Sequence, residues 1–571
     1  MAHIYSLRIE HFRGIKHLET IFGDSKFVVL IGRGDSGKTT ILKAISYVLS
    51  PNWYINVCDW DFYQCDTTKP IIIEAVVKDL PEELLTQDKY GLCFGLLKND
   101  GTIIYDFEDV IEGESHEYQK VLTIRLTVTD NLEPTWRVIS GANLDIETDF
   151  YARDRAKLKM FHVADYIDNH FSYSKGSPLY SLFKQKLDDK SSPEKKIIEM
   201  VRKSYEAIKE NNSFSEFDEV KQTILELARG VGLTISELST LLEFKENAYS
   251  ESNITLHSNN IPYRLHGKGS KRLLSIAIQQ GLVSDGGIVL IDELEQGMEP
   301  DRSRNLTRIL KQARTGQVFV TTHSRSVLAE AHANNVFLIR EGEEQLIKFD
   351  AYYQDILRVK PEAFFAKRVI CCEGKTEEGI IRALDDHLLE KRGFRLAVLG
   401  VVYINSKGGD NFYKHAGKLK EKGFKVCVFA DNDNEDIEKQ KQIAIEKGID
   451  LVICEKGKCV ETMLFNYLPW EAICSLIFDA ATFKGADIVY SSIGYQDYES
   501  IKAITDQSEQ KRIREVCAIK SNCGGWYKDI TMGESVGKIW FDHIEEIDAE
   551  CGLKREYDEL MTWIGDDINI I

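Results

Sequence analysis

Residues 27–49 read FVVLIGRGDSGKTTILKAISYVL, and this segment predicts the fold of the first part of the chain. The five apolar residues Phe27 to Ile31 predict a buried strand, and TILKAISYVL has the pattern of a helix. The loop between strand and helix fits G-x-x-x-x-G-K-[ST] from Gly32 to Thr39 without a mismatch. A glycine-rich loop in this position predicts a phosphate-binding site at the amino-terminal end of the helix.

Each polar group of the loop has an expected contact with a nucleotide. The glycines let backbone N–H groups close around the β-phosphate, Lys38 reaches the β- and γ-phosphate oxygens, and the Thr39 hydroxyl binds Mg²⁺. The predicted nucleotide-binding residues of the loop are Gly32, Gly34, Asp35, Ser36, Gly37, Lys38, Thr39 and Thr40. We therefore expect ATP and Mg²⁺ as cofactors.

A second apolar run, Gly287 to Ile291, ends in an acidic pair. Asp292 is predicted to bind Mg²⁺ through water, and Glu293 is predicted to polarise the attacking water. His323 follows the next strand-like run, VFVTTHS, where an imidazole is placed to sense the γ-phosphate. An acidic pair after a strand is common by itself, so the prediction depends on its occurring together with the loop and the histidine.

Length and composition indicate a large folded protein. The 571 residues suffice for three or four domains, and 24 tyrosines and 26 phenylalanines with only 10 prolines exclude a disordered chain. No apolar run approaches the roughly 18 to 20 residues of a membrane span, and charges interrupt the first 18 residues, so we expect a cytoplasmic protein without a membrane partner. The 12 scattered cysteines are expected to be reduced. A net charge of −19 argues against a protein that coats nucleic acid but leaves local DNA binding open.

A second set of acids follows strand-like runs in the second half of the chain. Glu373 and Glu377 follow VICC and stand one helical turn apart, while Asp431 and Asp433 follow KVCVFA. Between them, the loop NSKGG at 405–409 follows VVYI. Because ligands bind outside the carboxyl ends of parallel strands, these four carboxylates are expected to converge. Four negative charges close together require compensation by cations. All four carboxylates are therefore predicted to bind Mg²⁺ or Mn²⁺.

These motifs resemble those of the overcoming-lysogenization-defect (OLD) family. The segments that carry the resemblance in the first half are IEHFRGI, GRGDSGKT, LHGKGSKRLLSIA, IDELEQGMEP and TTHS, in the order of that family. In the second half, E-G-x-x-E, the Ser/Gly turn and D-x-D resemble the Toprim domain of topoisomerases, bacterial primases and OLD nucleases. The resemblance implies an ABC-type ATPase that closes as a dimer or higher oligomer around ATP.

The resemblance also implies further site residues. Glu461 matches the acidic position after the last Toprim strand, and Lys538 is the candidate for the lysine that OLD nucleases use near the scissile phosphate. Lys456 and Lys458 are alternatives for that lysine. The predicted catalytic residues are Glu373, Glu377, Asp431, Asp433, Glu461, Lys538 and Glu293.

Two positions depart from the family pattern. The signature serine position holds Gly267, followed by Gly269 and Ser270, and Glu299 replaces the histidine of the DE-x-E-x-G-L-H-P run. Either change would weaken hydrolysis between subunits. Two roles of ATP are therefore open. Its hydrolysis supplies energy, or its binding alone acts as a gating or structural ligand.

Other Toprim enzymes fit the sequence less well. A topoisomerase needs a tyrosine nucleophile in a winged domain, and only Tyr490 and Tyr495 are available without such a domain. A primase needs a zinc domain, whereas Cys454 and Cys459 have no second ligand pair nearby.

The predicted fold class is α/β multidomain, namely an ABC-type P-loop ATPase with a helical insertion, then a Rossmann-like Toprim domain and a helical C-terminal region. The expected parts are the ATPase N-terminal part (1–150), a helical dimerisation arm (151–254), the ATPase C-terminal part (255–350), the Toprim nuclease domain (366–468) and the helical region (469–571).

The predicted function is that of an ATP-binding, metal-dependent DNA endonuclease in bacterial anti-phage defence. The resemblance implies DNA as substrate and either no partner, a helicase-like partner, or a reverse transcriptase with its RNA. An ATP-dependent DNA-binding scaffold with a non-catalytic Toprim platform is the alternative from another class. A repair clamp of the SMC type would need a long heptad coiled coil, which the sequence lacks.

Overall fold

A computed structural model describes residues 2–105, 118–140, 146–163, 167–174, 176–186, 217–242, 254–282, 286–312, 316–409, 411–433 and 438–565. The chain forms two compact units, residues 1–361 and 362–571. Of the expected dimerisation arm, residues 187–216 and 243–253 lie outside the described residues.

The first unit contains a mainly parallel sheet that carries the glycine-rich loop. Its strands, in spatial order, are Met160–Val163, Ile288–Ile291, Gln317–Thr321, Phe27–Ile31, Val336–Leu338 and Ile347–Lys348, of which only the last is antiparallel to its neighbour. The three central strands are fully buried. Burial on both faces explains why they read as unbroken apolar runs.

A larger antiparallel sheet lies in the same unit. Its strands are Ile15–Ile21, His3–Phe12, Ile71–Lys78, Tyr118–Val128, Phe94–Lys98 and Ile103–Ile104 in spatial order, with Pro134–Ile139 and Glu147–Asp149 added beside Tyr118–Val128. A small third sheet contains Leu238–Leu242, Ile254–Ser258 and Ile261–Pro262. The described helices of the unit are Lys38–Val48, Gln87–Tyr90, Ala152–Arg155, Pro178–Lys186, Asp218–Gly230, Lys268–Leu282, Pro300–Gln312, Arg325–Glu330 and Gln354–Val359.

One strand of the core sheet lies where the sequence indicated only helices. Met160–Val163 pairs in parallel with Ile288–Ile291, beside the acidic pair at the end of that strand. Its four residues, MFHV, are too few to show an alternating pattern between segments of helical spacing. The ATPase core therefore draws a strand from within residues 151–254.

The second unit is built on a four-stranded parallel sheet. Its strands in spatial order are Val401–Asn405, Arg368–Cys372, Lys425–Ala430 and Asp450–Ile453. The run GFRLAVLGVVYI forms a strand only from Val401, because a short 3₁₀ turn over Leu396–Leu399 ends at Gly400 with a left-handed backbone (φ 66°). The described helices are Lys375–Arg392, Asn411–Glu421, Glu438–Glu446, Val460–Tyr467, Trp470–Lys484, Ala486–Ile493, Tyr498–Lys502, Gln507–Gly524, Ile530–Asp542 and Gly552–Gly565.

Candidate functional site

The glycine-rich loop leaves the central strand Phe27–Ile31 and leads into the helix Lys38–Val48. A Cβ atom at Gly32 would lie 2.6 Å from both the Ile339 carbonyl oxygen and Ser36 Oγ, so only glycine fits. Gly37 precedes the helix with φ 98°, a conformation that a side chain would strain. The loop backbone is thus shaped to turn its N–H groups inward, as a phosphate site requires.

Lys38 is held inside this loop. Its Nζ donates to the Gly32 carbonyl (3.1 Å), the Arg33 carbonyl (2.6 Å) and Ser36 Oγ (3.3 Å). The side chain is buried, and burial lowers the pKa of Lys38. A buried ammonium surrounded by backbone oxygens is well placed to bind phosphate oxygens.

Two neighbouring oxygen groups fit a magnesium ion. Thr39 Oγ1 donates to Asp292 Oδ1 (3.1 Å), so the loop hydroxyl and the carboxylate at the strand end are in direct contact. Thr321 Oγ1 also donates to this Asp292 oxygen (2.5 Å). A hydroxyl and a carboxylate are oxygen ligands of the kind that Mg²⁺ prefers, so the residues present fit the ion.

Glu293 and His323 lie at the same cavity, whose volume is about 680 Å³. Glu293 has a left-handed backbone (φ 46°), and its N–H donates to Thr321 Oγ1 (2.7 Å). Burial lowers the pKa of His323, and the nearby Lys38 charge lowers it further. Strained backbone at a non-glycine residue is typical of functional positions, which supports a chemical role for the Glu293 carboxylate.

The cavity also contains residues that the motif search did not select. Every predicted loop residue from Gly34 to Thr40 lines it, whereas Gly32 and Asp292 contribute through their contacts with Lys38 and Thr39. The additional lining residues are Gly14, Ile15, Lys16, His17, Leu18, Tyr63, Thr321, Ile339, Arg340, Glu341, Gly342, Glu343 and Glu344. Gly14 and Ile15 belong to the IEHFRGI segment and Thr321 belongs to TTHS, and no motif in the sequence marks the others.

The signature segment forms the start of the helix Lys268–Leu282. A Cβ atom at Gly297 would lie 2.8 Å from Lys268 Cβ and 3.0 Å from the Gly269 nitrogen, so the helix start packs tightly on the segment after the acidic pair. Glu299 is exposed and pairs with Arg302 (3.2 Å). The residue that replaces the family histidine therefore makes a surface ion pair within this chain.

The second unit brings the predicted carboxylates to the carboxyl ends of its parallel strands. Glu373 directly follows Arg368–Cys372, and Asp431 follows Lys425–Ala430 on the adjacent strand. The Asp431 N–H donates to Glu373 Oε2 (3.2 Å). Glu377 is buried and accepts from the Gly374 N–H at Oε2 (2.8 Å). The two strand ends are thus joined by a bond from the Asp431 backbone to the Glu373 carboxylate.

Asp431 and Glu461 are connected through the start of one helix. The Val460 N–H donates to Asp431 Oδ1 (2.8 Å), and Cys454 Sγ also donates to that oxygen at 3.8 Å. Glu461 is the next residue of the helix Val460–Tyr467 and is only 3% exposed. Asp433, two residues after Asp431, is exposed. Like charge from Glu461 and Asp433 raises the pKa of Glu373, so both act on the cluster.

The electrostatics of this cluster favour a cation. Burial, followed by the nearby carboxylates, raises the pKa of Glu373 to about 7. The pKa values of Glu377 and Asp431 are also raised, first by burial and then by the other acids. Ionised carboxylates repel one another, and a bound divalent ion stabilises them in the ionised form. The donor set therefore fits Mg²⁺ or Mn²⁺.

The acidic side chains of the described residues do not form a closed metal-binding arrangement. Within the described ranges, no three His, Cys, Asp or Glu side chains stand in a metal-binding arrangement. Among the described residues, the backbone hydrogen bonds to Glu373, Glu377 and Asp431 each engage one carboxylate oxygen. The second oxygen of each group can therefore turn towards a cation while the backbone contacts hold the side chain.

The candidate lysines have different surroundings in the structure. Lys538 is exposed on the helix Ile530–Asp542. Lys458 pairs with Glu455 and also contacts the Tyr467 hydroxyl, and Lys456 lines a separate cavity of about 660 Å³. Lys528, which sequence reasoning missed, lowers the pKa of Glu373 through its charge. No motif marks Lys528, because it lies in the turn before a helix about 150 residues further along the chain.

The C-terminal helices hold the helix that carries Glu377. A Cβ atom at Gly533 would lie 2.5 Å from the Thr376 carbonyl oxygen and 2.9 Å from the Gly379 Cα atom. Thr376 Oγ1 donates to the Tyr527 carbonyl (3.0 Å). The glycine contact brings two backbones together directly beside a candidate metal ligand, so the helical region helps to position the site.

Comparisons with known protein families agree with the division of the chain into two units. Residues 27–329 match the family described as "AAA domain, putative AbiEii toxin, Type IV TA system", and residues 364–433 match "Overcoming lysogenization defect protein-like, TOPRIM domain". A P-loop ATPase joined to a Toprim domain is the class that fold and sites define. The chain belongs to this AAA-domain family and is an ATPase–Toprim fusion of the OLD family.

The chain is also similar to solved structures at low sequence identity. The Smc head domain from Pyrococcus furiosus bound to the C-terminal domain of ScpA is 14% identical (TM-score 0.38), with 61% of this chain and 97% of that chain covered. The recombination mediator protein RecF is 12% identical (TM-score 0.34; 61% and 98% covered), as is the SMC head domain from Thermotoga maritima (TM-score 0.30; 61% and 99% covered). No curated protein matches the chain. Among the described helices, none combines the length and apolar content that a membrane crossing requires.

The predicted family and fold class are therefore confirmed. ATP binding follows from the ATPase family.

Proposed function

We propose that the protein is an ATP-binding, divalent-metal-dependent DNA endonuclease of the OLD family that acts in bacterial anti-phage defence. One observation supports the nuclease part above all. Glu373 and Asp431 at neighbouring strand ends act together with Glu377 in the first turn of the following helix, and burial and mutual repulsion raise the pKa of each. Ionising several buried carboxylates close together costs free energy. Such a cluster is therefore expected where a bound cation compensates their charge.

The chain's own residues position the reacting groups. Glu373, Glu377 and Asp431 bind the cation through the oxygens that their backbone contacts leave available, and Glu461 and Asp433 add negative charge. Bound Mg²⁺ or Mn²⁺ supplies an activated water and stabilises the leaving 3′ oxygen of the phosphodiester.

A lysine completes the proposed nuclease site by binding the scissile phosphate. Lys528, whose charge lowers the pKa of Glu373, is one candidate for this role. Lys538 stays the alternative that the family resemblance implies.

ATP is proposed to gate the nuclease. Lys38 binds the phosphates, Thr39 and Asp292 hold Mg²⁺, and Glu293 is the general base for hydrolysis. Hydrolysis is expected to be slow, because the signature position is Gly267. A slow ATPase holds its bound state for long periods, which suits a gating role.

The proposed assembly is a homo-oligomer of at least two chains, since the signature loop of one subunit faces the phosphates of another in the proteins this chain resembles. DNA is the proposed substrate. The protein acts alone, with a helicase-like partner, or with a reverse transcriptase and its RNA, and the cytoplasm is its proposed location.

Nicking of supercoiled plasmid tests the nuclease proposal. Purified protein is incubated with plasmid and Mg²⁺ or Mn²⁺, with and without ATP. Asp431→Ala and Glu373→Ala should abolish nicking and leave ATP binding intact, because the nucleotide residues lie in the first unit. Glu390→Ala is the matched control, since Glu390 is an exposed acid on the helix that carries Glu377. Unchanged nicking by Asp431→Ala would refute the assignment.

The same assay separates the scaffold alternative. Wild-type protein that binds DNA in an ATP-dependent manner, but does not nick it with either metal, would favour a non-catalytic Toprim platform.

A further inference from the structure

The segments that follow two adjacent core strands are joined by hydrogen bonds. These strands are Ile288–Ile291 and Gln317–Thr321. The Glu293 N–H donates to Thr321 Oγ1 (2.7 Å), and the Leu294 N–H donates to the Thr321 carbonyl (3.0 Å). The acidic pair and the segment that leads to His323 therefore form one hydrogen-bonded unit.

Glu295 makes the last link in this unit. Its Oε2 accepts from Thr322 Oγ1 and its Oε1 accepts from the His323 N–H, both at 2.7 Å. Thr322 is fully buried, and its Oγ1 accepts in turn from the Ser324 N–H (2.9 Å). Hydrogen bonds to a charged acceptor are stronger than those between neutral groups, so this carboxylate holds the backbone of His323 firmly.

The two glutamates of the DELE motif thus have different surroundings. Both oxygens of Glu295 are engaged by the His323 segment. Among the described residues, no hydrogen bond is made to the Glu293 carboxylate, and Glu293 lines the nucleotide cavity. Glu293 is therefore available as a base, while Glu295 is committed to holding His323.

The other side of Glu295 leads to the signature helix Lys268–Leu282. The next residue, Gln296, accepts at Oε1 from Arg272 Nη1 (2.8 Å). Gly297 packs against Gly269 so closely that a Cβ atom at Gly297 would lie 3.0 Å from the Gly269 nitrogen. Arg272 and Gly269 both belong to the signature helix. Glu295 therefore lies between the histidine at the nucleotide cavity and the helix that carries the signature.

We propose that Glu295 is a positioning residue for ATP hydrolysis, which fixes His323 at the nucleotide cavity and joins its position to that of the signature helix. The inference rests on the proposed hydrolysis of ATP. It assigns to the second glutamate of the motif a role separate from that of the base.

The decisive substitution is Glu295→Gln. An amide has one acceptor oxygen, so it can replace one of the two hydrogen bonds but not both. Loss of a bond to a charged group should lower kcat roughly 10- to 100-fold. KM for ATP should change less than about twofold, since the loop contacts of Lys38 are untouched. Asp301→Asn is the matched control, because Asp301 is an exposed acid six residues further along.

A double-mutant cycle separates positioning from a general structural effect. ATP turnover is measured under single-turnover conditions, which detect slow hydrolysis, for Glu295→Gln, His323→Ala and the double variant. If Glu295 acts through His323, the double variant should be no slower than His323→Ala alone. Thermal unfolding of each variant establishes that it is folded.

Three outcomes would overturn the inference. One is wild-type kcat in Glu295→Gln, and another is losses that multiply in the double variant. The third is a rise in KM that accounts for the whole loss. In each of these the wild type still hydrolyses ATP, so the proposed function stands. If the wild type binds ATP but shows no single turnover, hydrolysis itself is wrong and the inference fails with it.

Discussion

The buried carboxylates make the stability of the second unit depend on pH and on metal. Glu373 has its pKa raised from 4.5 to about 7 in the folded protein. An acid with a raised pKa in the folded state favours folding most at low pH, and this contribution is lost as the pH rises through the folded value. Without metal, the unit should therefore become less stable as the pH rises from about 5.5 to about 8.5.

The size of this loss of stability follows from the part of the Glu373 pKa shift that lies within this pH range. Between about pH 5.5 and the folded pKa, Glu373 accounts for roughly 2 kcal/mol at most. Because Glu373 is half-buried and partly screened by water, about 1 to 2 kcal/mol is expected. For a unit of about 210 residues, this corresponds to a fall in Tm of roughly 2 to 8 °C. Glu377 and Asp431 act in the same direction.

Thermal unfolding in EDTA, monitored by circular dichroism at pH values from about 5.5 to about 8.5, measures the fall in Tm. Millimolar Mg²⁺ or Mn²⁺ should remove most of it, because an ion present at about 100 times its Kd stabilises the folded state by about 2.7 kcal/mol. Glu373→Gln should flatten the dependence on pH, whereas Glu390→Gln should not. The same slope in the wild type and in Glu373→Gln would refute the reasoning, as would a Tm that metal does not change at about pH 8.5.

Three other substitutions test separate parts of the structure. Lys38→Ala should weaken binding of a fluorescent ATP analogue more than about tenfold, because the main side-chain contact to the phosphates is lost; wild-type affinity would place the nucleotide elsewhere. Glu293→Gln should slow hydrolysis about 100-fold while leaving the effect of ATP on plasmid nicking unchanged, and loss of that effect with ATP still bound would mean that turnover itself carries the signal. Gly533→Ala should force its helix about 0.9 Å away from Thr376 to regain a 3.4 Å contact, at a cost of about 1 to 3 kcal/mol in unfolding free energy. Gly417→Ala, whose nearest atom lies at 3.6 Å on a flexible lysine, should leave Tm almost unchanged, so equal melting of the two variants would contradict the packing argument.

The sequence predicted the parts of the structure that follow from local patterns and from the general rule for parallel strand ends. The strand, loop and helix around Lys38 follow from a local pattern, and the Thr39–Asp292 contact follows from the rule that parallel strand ends meet at one edge. For the same reason Glu373 and Asp431 lie on adjacent strands. The family and fold class were therefore within reach of the sequence.

What the sequence missed depends on contacts between distant segments. Lys528 acts on Glu373 across about 150 residues, and nothing in its own surroundings marks it. Met160–Val163 is recognisable as a core strand only once its partner Ile288–Ile291 is in place. The role of Glu295 depends on two groups of the neighbouring strand end, which the motif DELE does not contain.

The contact between Gly379 and Gly533 has a consequence for exchanging parts between related proteins. Two helices meet there without side chains between them, and a Cβ atom at Gly379 would lie 2.6 Å from the Gly533 Cα atom. A chimaera that takes only the segment matching the Toprim family, residues 364–433, would carry one half of this contact to a foreign C-terminal region. Any larger residue opposite Gly379 would push apart the helix that bears Glu377. A piece that keeps this contact therefore runs at least to the helix Ile530–Asp542, about a hundred residues past the end of the recognised domain.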